Sequence, residues 1–160
     1  MSLTWRPVEI TFTKLRDGRA CRWSAHRPPR TRVPGPTMAV GADLPHDLAT
    51  FVIEDALSLE FGFWGCVAAG ATFRTLGRRR TPQGTAVIAA HRDELDAAET
   101  RVNEVYFRWR DGRATPVDDV LAATLAEWRA LPDGGDLVRR WDRSPPTRRP
   151  ADRPTRRSAT

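Results

Sequence analysis

Apolar and polar residues alternate near the start of the chain. Val8, Ile10 and Phe12 oppose Glu9, Thr11 and Thr13, the period-two pattern of a half-buried strand. Arg16-Asp17-Gly18-Arg19 follows, and Asp-Gly between two alternating runs predicts a hairpin turn. In the return run Cys21, Trp23 and Ala25 oppose Arg22, Ser24 and His26, which makes Cys21 a small apolar core residue. Residues 27–36 hold four prolines and three arginines and read as an irregular connection. A third strand is expected from Thr37 to Ala42, through Met38 and Val40. An isolated hairpin is marginal in water, so the sheet needs that strand or a helix packed on it.

The period then changes to that of helices. Asp43 is placed to cap a helix running to about Leu59, with Pro45 in its first turn. At about 100° per residue, Leu44, Leu48, Phe51, Val52, Ala56 and Leu59 share one face, widened by Ile53 and Leu57. Asp47, Thr50, Glu54 and Ser58 form a narrow polar wedge. Gly62 and Gly65 predict a break, then a short helix of small residues, and Arg74 to Gly84 reads as a loop. Ile88, His91, Leu95, Ala98, Val102, Val105 and Trp109 are spaced 3, 4, 3, 4, 3, 4, a heptad seam on one helix capped by Thr85 and ended by Gly112. At 1.5 Å per residue, a helix of about 25 residues is about 37 Å long. Its seam is therefore offered either to a dimer partner or to the next helix of the same chain. Thr115-Pro116-Val117-Asp118 opens that next helix, and a short last helix from Asp136 turns Leu137, Val138 and Trp141 inward. The fold class is α+β: an N-terminal antiparallel β-hairpin or three-stranded sheet followed by four or five packed helices. One domain is expected over 1–143, with a disordered arginine- and proline-rich tail over 144–160.

Composition narrows the class. The 160 residues, 40% of them apolar, suffice for one domain with its own core. No run approaches the roughly 18 apolar residues of a membrane span, and no signal-type stretch opens the chain, so a cytoplasmic protein is expected. Two cysteines, Cys21 and Cys66, cannot build a zinc cluster or a disulfide framework. The net charge of +6 looks like a nucleic-acid signature until it is located. Residues 144–160 hold five arginines against Asp152, which is +4, and leave +2 for the 143 residues before them. Lys14 is the single lysine beside 25 arginines, a bias that a GC-rich genome produces without functional cause.

The candidate chemistry is sparse. On the first helix His46 falls between Ile53 and Leu57, and Asp55 between Phe51 and Leu48, so both interrupt the apolar arc. A carboxylate buried there must be paired, hydrogen-bonded or protonated, either as the partner of an arginine or as a tuned acid or base. His91 interrupts the heptad seam, and its i, i+3 spacing to Glu94 lets the two side chains share a divalent metal, with His46 as a third ligand. Cys66 beside a histidine is the one nucleophile arrangement available, though a small-residue run favours its burial. Sequence-independent nucleic-acid binding is a further alternative, with Arg74, Arg78, Arg79 and Arg80 of the loop and the tail, including Arg148 and Arg149, as its candidates.

Leu44-Pro45-His46-Asp47-Leu48, Phe51-Val52-Ile53-Glu54 and Gly62-Phe63-Trp64-Gly65 together resemble an uncharacterised small-protein family of GC-rich bacteria. The resemblance covers about 27 residues and brings no activity with it. In that family a second histidine often stands where this chain has Thr50, so the H-D-x-x-H pair that would favour a metal is incomplete here. The resemblance singles out His46, Asp47 and Glu54. The expected function is a small binding or regulatory domain acting through protein contacts, with a homodimer along the Ile88–Trp109 seam as one form. The enzyme alternative is a metal-assisted hydrolase built on His46, Asp47, Glu54 and His91, with Asp55 as a further catalytic candidate.

Overall fold

The structure, a computed structural model, describes residues 7–73 and 81–143. Strands β1 (Val8–Leu15) and β2 (Ala20–Arg27) form the expected hairpin, with Phe12 opposite Trp23 and Glu9 opposite His26. Arg16, Asp17 and Gly18 in its turn all have positive φ (52°, 55° and 86°), a region that Asp and Gly enter at lower cost than most residues. Strand β3 spans Thr31–Ala39 rather than Thr37–Ala42, and the irregular connection shrinks to a turn over 28–30. Pro34 and Pro36 are tolerated because the strand order β3-β2-β1-β4 puts β3 at an edge and Pro36 falls where its register with β2 shifts, between Thr37 opposite Arg22 and Pro34 opposite Ser24. Gly35 lets β3 cross the Trp23 ring, since a Cβ there would lie 2.2 Å from it.

The last element is a strand and not a helix. β4 (Asp136–Trp141) pairs antiparallel with β1, from Val8 opposite Trp141 to Thr13 opposite Asp136. Leu137 and Trp141 are four residues apart, a spacing that serves a helix face and a strand face equally well. The free edge of β1 decides between them. Val138, expected to face inward, lies on the opposite face and is exposed.

Helix α1 (His46–Ala56) begins three residues after the Asp43 expected to cap it. Leu44 precedes Pro45 and is thereby pushed out of the helical region. Helix α2 (Phe63–Ala69) is the predicted short helix of small residues. The single long seam helix is in fact two, α3 (Pro82–Ala90) and α4 (Arg92–Arg110), broken at His91. Thr81, not Thr85, caps α3 by accepting a hydrogen bond from Gly84 N at 3.0 Å, with Pro82 in the first turn. Leu95, Ala98, Val102 and Val105 are buried, and α4 packs on α1 and α2, helices that precede it in the chain. Helix α5 (Asp118–Ala130) opens where Asp118 accepts hydrogen bonds from the Thr115 N–H and hydroxyl, two residues later than Pro116 suggested.

Among the described residues the result is an α+β fold of five helices and a four-stranded antiparallel sheet, with α3 packed on α2 and α4. Phe12, Trp23, Trp64, Phe51 and Trp141 meet edge-to-face at the centre of the core. Among the described residues no helix is long and apolar enough to cross a membrane. The tail over 144–160 lies outside the described residues.

Candidate functional site

Two polar helical stripes face each other across a gap. His46, Thr50 and Glu54, spaced by four on α1, run up one side with Asp47 beside them. Arg92, Asp96, Glu99 and Asn103 run up α4 on the other, each one residue after a member of the apolar seam. The buried Leu95 and Val102 floor the gap, and the partly exposed Phe63 and Phe73 line it with ring centroids 4.9 Å apart. The cleft is partly open to solvent and has a volume of about 350 Å³, within the lower range of small-ligand pockets.

The α1 groups are held from below. Asp47 Oδ2 accepts the indole N–H of Trp23 at 2.9 Å, and its backbone carbonyl accepts that of Trp64 at 3.1 Å. Thr50 is buried, and its hydroxyl donates to the His46 carbonyl at 2.9 Å. His46, with a side chain 48% exposed, stands at the mouth against the edge of Tyr106, its Nδ1 3.9 Å from Asp47 Oδ1. The Asp47 carboxylate raises the His46 pKa above its ordinary value against partial burial, and Asn103 and Glu99 add to the effect.

Glu54 is the buried acid of this helix. It is 1% exposed, and its carboxylate accepts the N–H of Phe63 at 2.7 Å and that of Trp64 at 2.9 Å, the first free donors of α2. Burial pushes its pKa up to about 7 against the opposing pull of those two N–H groups. Gly62 makes the approach possible, because a Cβ there would lie 2.3 Å from Glu54 Oε1.

The expectation for Asp55 is corrected. It is exposed, and its carboxylate and backbone carbonyl take Arg143 Nη2, the carboxylate at 3.3 Å. Residues 48–54 are buried without interruption, so α1 is enclosed nearly all round for two turns. An apolar arc drawn on a helical wheel therefore misses the acid that goes inside. His46, placed on that arc by the wheel, is likewise half-exposed.

His91 takes no part in the pocket. It sits at the α3–α4 break with its ring stacked on Phe61, centroids 3.6 Å apart, and its Nδ1 is 2.9 Å from Glu94 Oε1. The i, i+3 pair thus bonds to itself. Among the described residues no three His, Cys, Asp or Glu side chains converge as a ligand set for a metal. Cys66 is fully buried and donates to the Phe61 carbonyl at 3.5 Å, and burial pushes its thiol up to about 11. Cys21 is pushed up to about 12 for the same reason, so neither thiol supplies a thiolate near neutrality. Arg74, Arg78, Arg79, Arg80, Arg148 and Arg149 lie outside the described residues.

The structure therefore brings together His46, Asp47 and Glu54 and leaves Asp55, His91 and Glu94 apart from them. Asp96, Glu99 and Asn103 were missed by sequence reasoning. Their 3, 4 spacing, offset by one from the seam, was the available signal. Comparison with protein-family models, with curated proteins and with solved structures gives no match.

Proposed function

We propose that the protein is a binding domain that engages its partner protein through the pocket between α1 and α4. The observation that carries this reading is the pocket itself. It is a partly open cleft lined by apolar, aromatic and polar side chains, into which a protruding side chain of a partner fits. Its α1 carboxylates are already engaged: Glu54 holds the start of α2, and Asp47 holds Trp23. Such groups shape a site more readily than they shuttle protons. The metal-assisted hydrolase loses support because His91 stands outside the pocket.

Random-peptide display on the full chain tests the proposal, with Asn103→Trp as the blocking variant. Asn103 lies at the partly exposed rim, so a ring there fills the mouth without entering the core. Selected peptides should lose binding to the variant while its thermal transition stays in place. Peptides that bind both forms equally would overturn the proposal.

A further inference from the structure

The chemical class of the group that enters this pocket follows from its charge and shape, given the binding role just proposed. We infer that the α1–α4 pocket takes an organic cation, a guanidinium on an apolar stem such as an arginine side chain. Three carboxylates offer charge to the space, Asp47 from α1 and Asp96 and Glu99 from α4, against Arg92 and His46, while both oxygens of Glu54 are already held by N–H groups of α2. Arg92 is turned to the rim, where it lies 3.8 Å from Asp96 with both side chains exposed. An anion entering here loses its water among like charges, whereas a cation exchanges water for carboxylate oxygens.

The arrangement of those oxygens selects the shape of the cation. Among the described residues the acids do not gather round one point as a metal requires. Asp47 and Glu99 approach from opposite helices, and Asp47 turns Oδ1 toward His46 Nδ1 at 3.9 Å while Oδ2 holds Trp23. Acceptors spread across a gap match the planar five-donor fork of a guanidinium better than the compact ammonium of a lysine. Phe63 and Phe73 line the space with partly exposed ring surface, on which such a plane can stack. Leu95 and Val102 take the methylene stem.

The test is a titration of the full chain, read by amide NMR shifts, with three probes: N-acetyl-arginine methylamide, its isosteric neutral citrulline counterpart and the shorter anionic glutamate counterpart. The arginine probe should move the amides of Thr50, Phe63 and Val102, and the citrulline and glutamate probes should not saturate. Glu99→Gln and Asp96→Asn, both at exposed positions, should each weaken the arginine probe at least about threefold without altering the fold. That is the loss of one partly screened carboxylate contact. Agmatine and a Gly-Gly-Arg-Gly-Gly peptide separate the two sources of the group. Tighter binding of the peptide assigns it to a polypeptide, and tighter binding of agmatine to a free small molecule. Binding of citrulline or glutamate as tightly as arginine at the same amides would overturn the inference and leave the pocket as a binding site. Silence from every probe, while displayed peptides still depend on Asn103, would overturn the cation alone. Silence from the probes and from the peptides would overturn both readings.

Discussion

Lys14, the single lysine among 26 basic residues, continues the inward face of β1 after Val8, Ile10 and Phe12. That position brings it beneath the end of α5. Its Nζ donates to the carbonyls of Trp128 at 2.9 Å, Leu131 at 2.9 Å and Arg129 at 3.3 Å, and lies 5.7 Å from the Trp128 ring centroid. Three convergent carbonyls at the negative end of a helix ask for a compact cation with three donors, and a planar guanidinium cannot aim three N–H groups at one point. Lys14→Met keeps the stem and removes the donors. A hydrogen bond to a charged group contributes about 1.5–3 kcal/mol, and water partly replaces the donors at this half-exposed site. The two short bonds together therefore correspond to a loss of about 2–3 kcal/mol. In urea, with a slope of about 2 kcal/mol per molar, the midpoint should fall by roughly 1–1.5 M at unchanged slope. Lys14→Arg should recover less than half of this. A Lys14→Met midpoint within about 0.3 M of the parent, or full recovery in Lys14→Arg, would refute the reasoning.

Three further outcomes follow from the α1–α2 junction and its surroundings. Gly62→Ala drives a methyl group into the Glu54 carboxylate and should cost about 2–4 kcal/mol, read by the same urea titration. The folded-state pKa of Glu54, about 7, lies above its ordinary 4.5, so the folded chain holds the extra proton between those values. The contribution of this group to stability is therefore fully present below about pH 4.5 and falls as pH rises toward 7, by up to about 1.4 kcal/mol per pH unit. Glu54→Gln should flatten that slope between about pH 5 and 6, and a slope equal to the parent's would remove the assignment. Asp55→Asn, at an exposed ion pair with Arg143, should change stability by less than about 1 kcal/mol, and a loss above 2 kcal/mol would place this acid inside after all.

The pattern of apolar residues carried the hairpin, the short helix after Gly62 and the α+β class, because strand alternation and small-residue runs are local properties. It misassigned β4, since Leu137 and Trp141 satisfy both periods and only the edge of a strand far earlier in the chain separates them. It split the acids of α1 the wrong way, since Glu54 goes inside to meet two N–H groups of a helix that begins nine residues later. Half of the pocket was legible as His46, Asp47 and Glu54. The α4 half was not, because Asp96 and Glu99 look like any solvated helix face until α1 is laid against them.

β1 lies between β2 and β4 in the sheet, and its two neighbours come from opposite ends of the chain. As the chain leaves the ribosome, the hairpin and β3 are available early, whereas the other edge of β1 waits for residues 136–141. Until then its backbone donors and acceptors are open, and the Phe51 ring lacks its Trp141 neighbour. Such late, distant pairing makes folding slow and leaves a sticky intermediate during synthesis. Chains stopped before residue 136 are therefore expected to aggregate rather than persist as a smaller soluble domain.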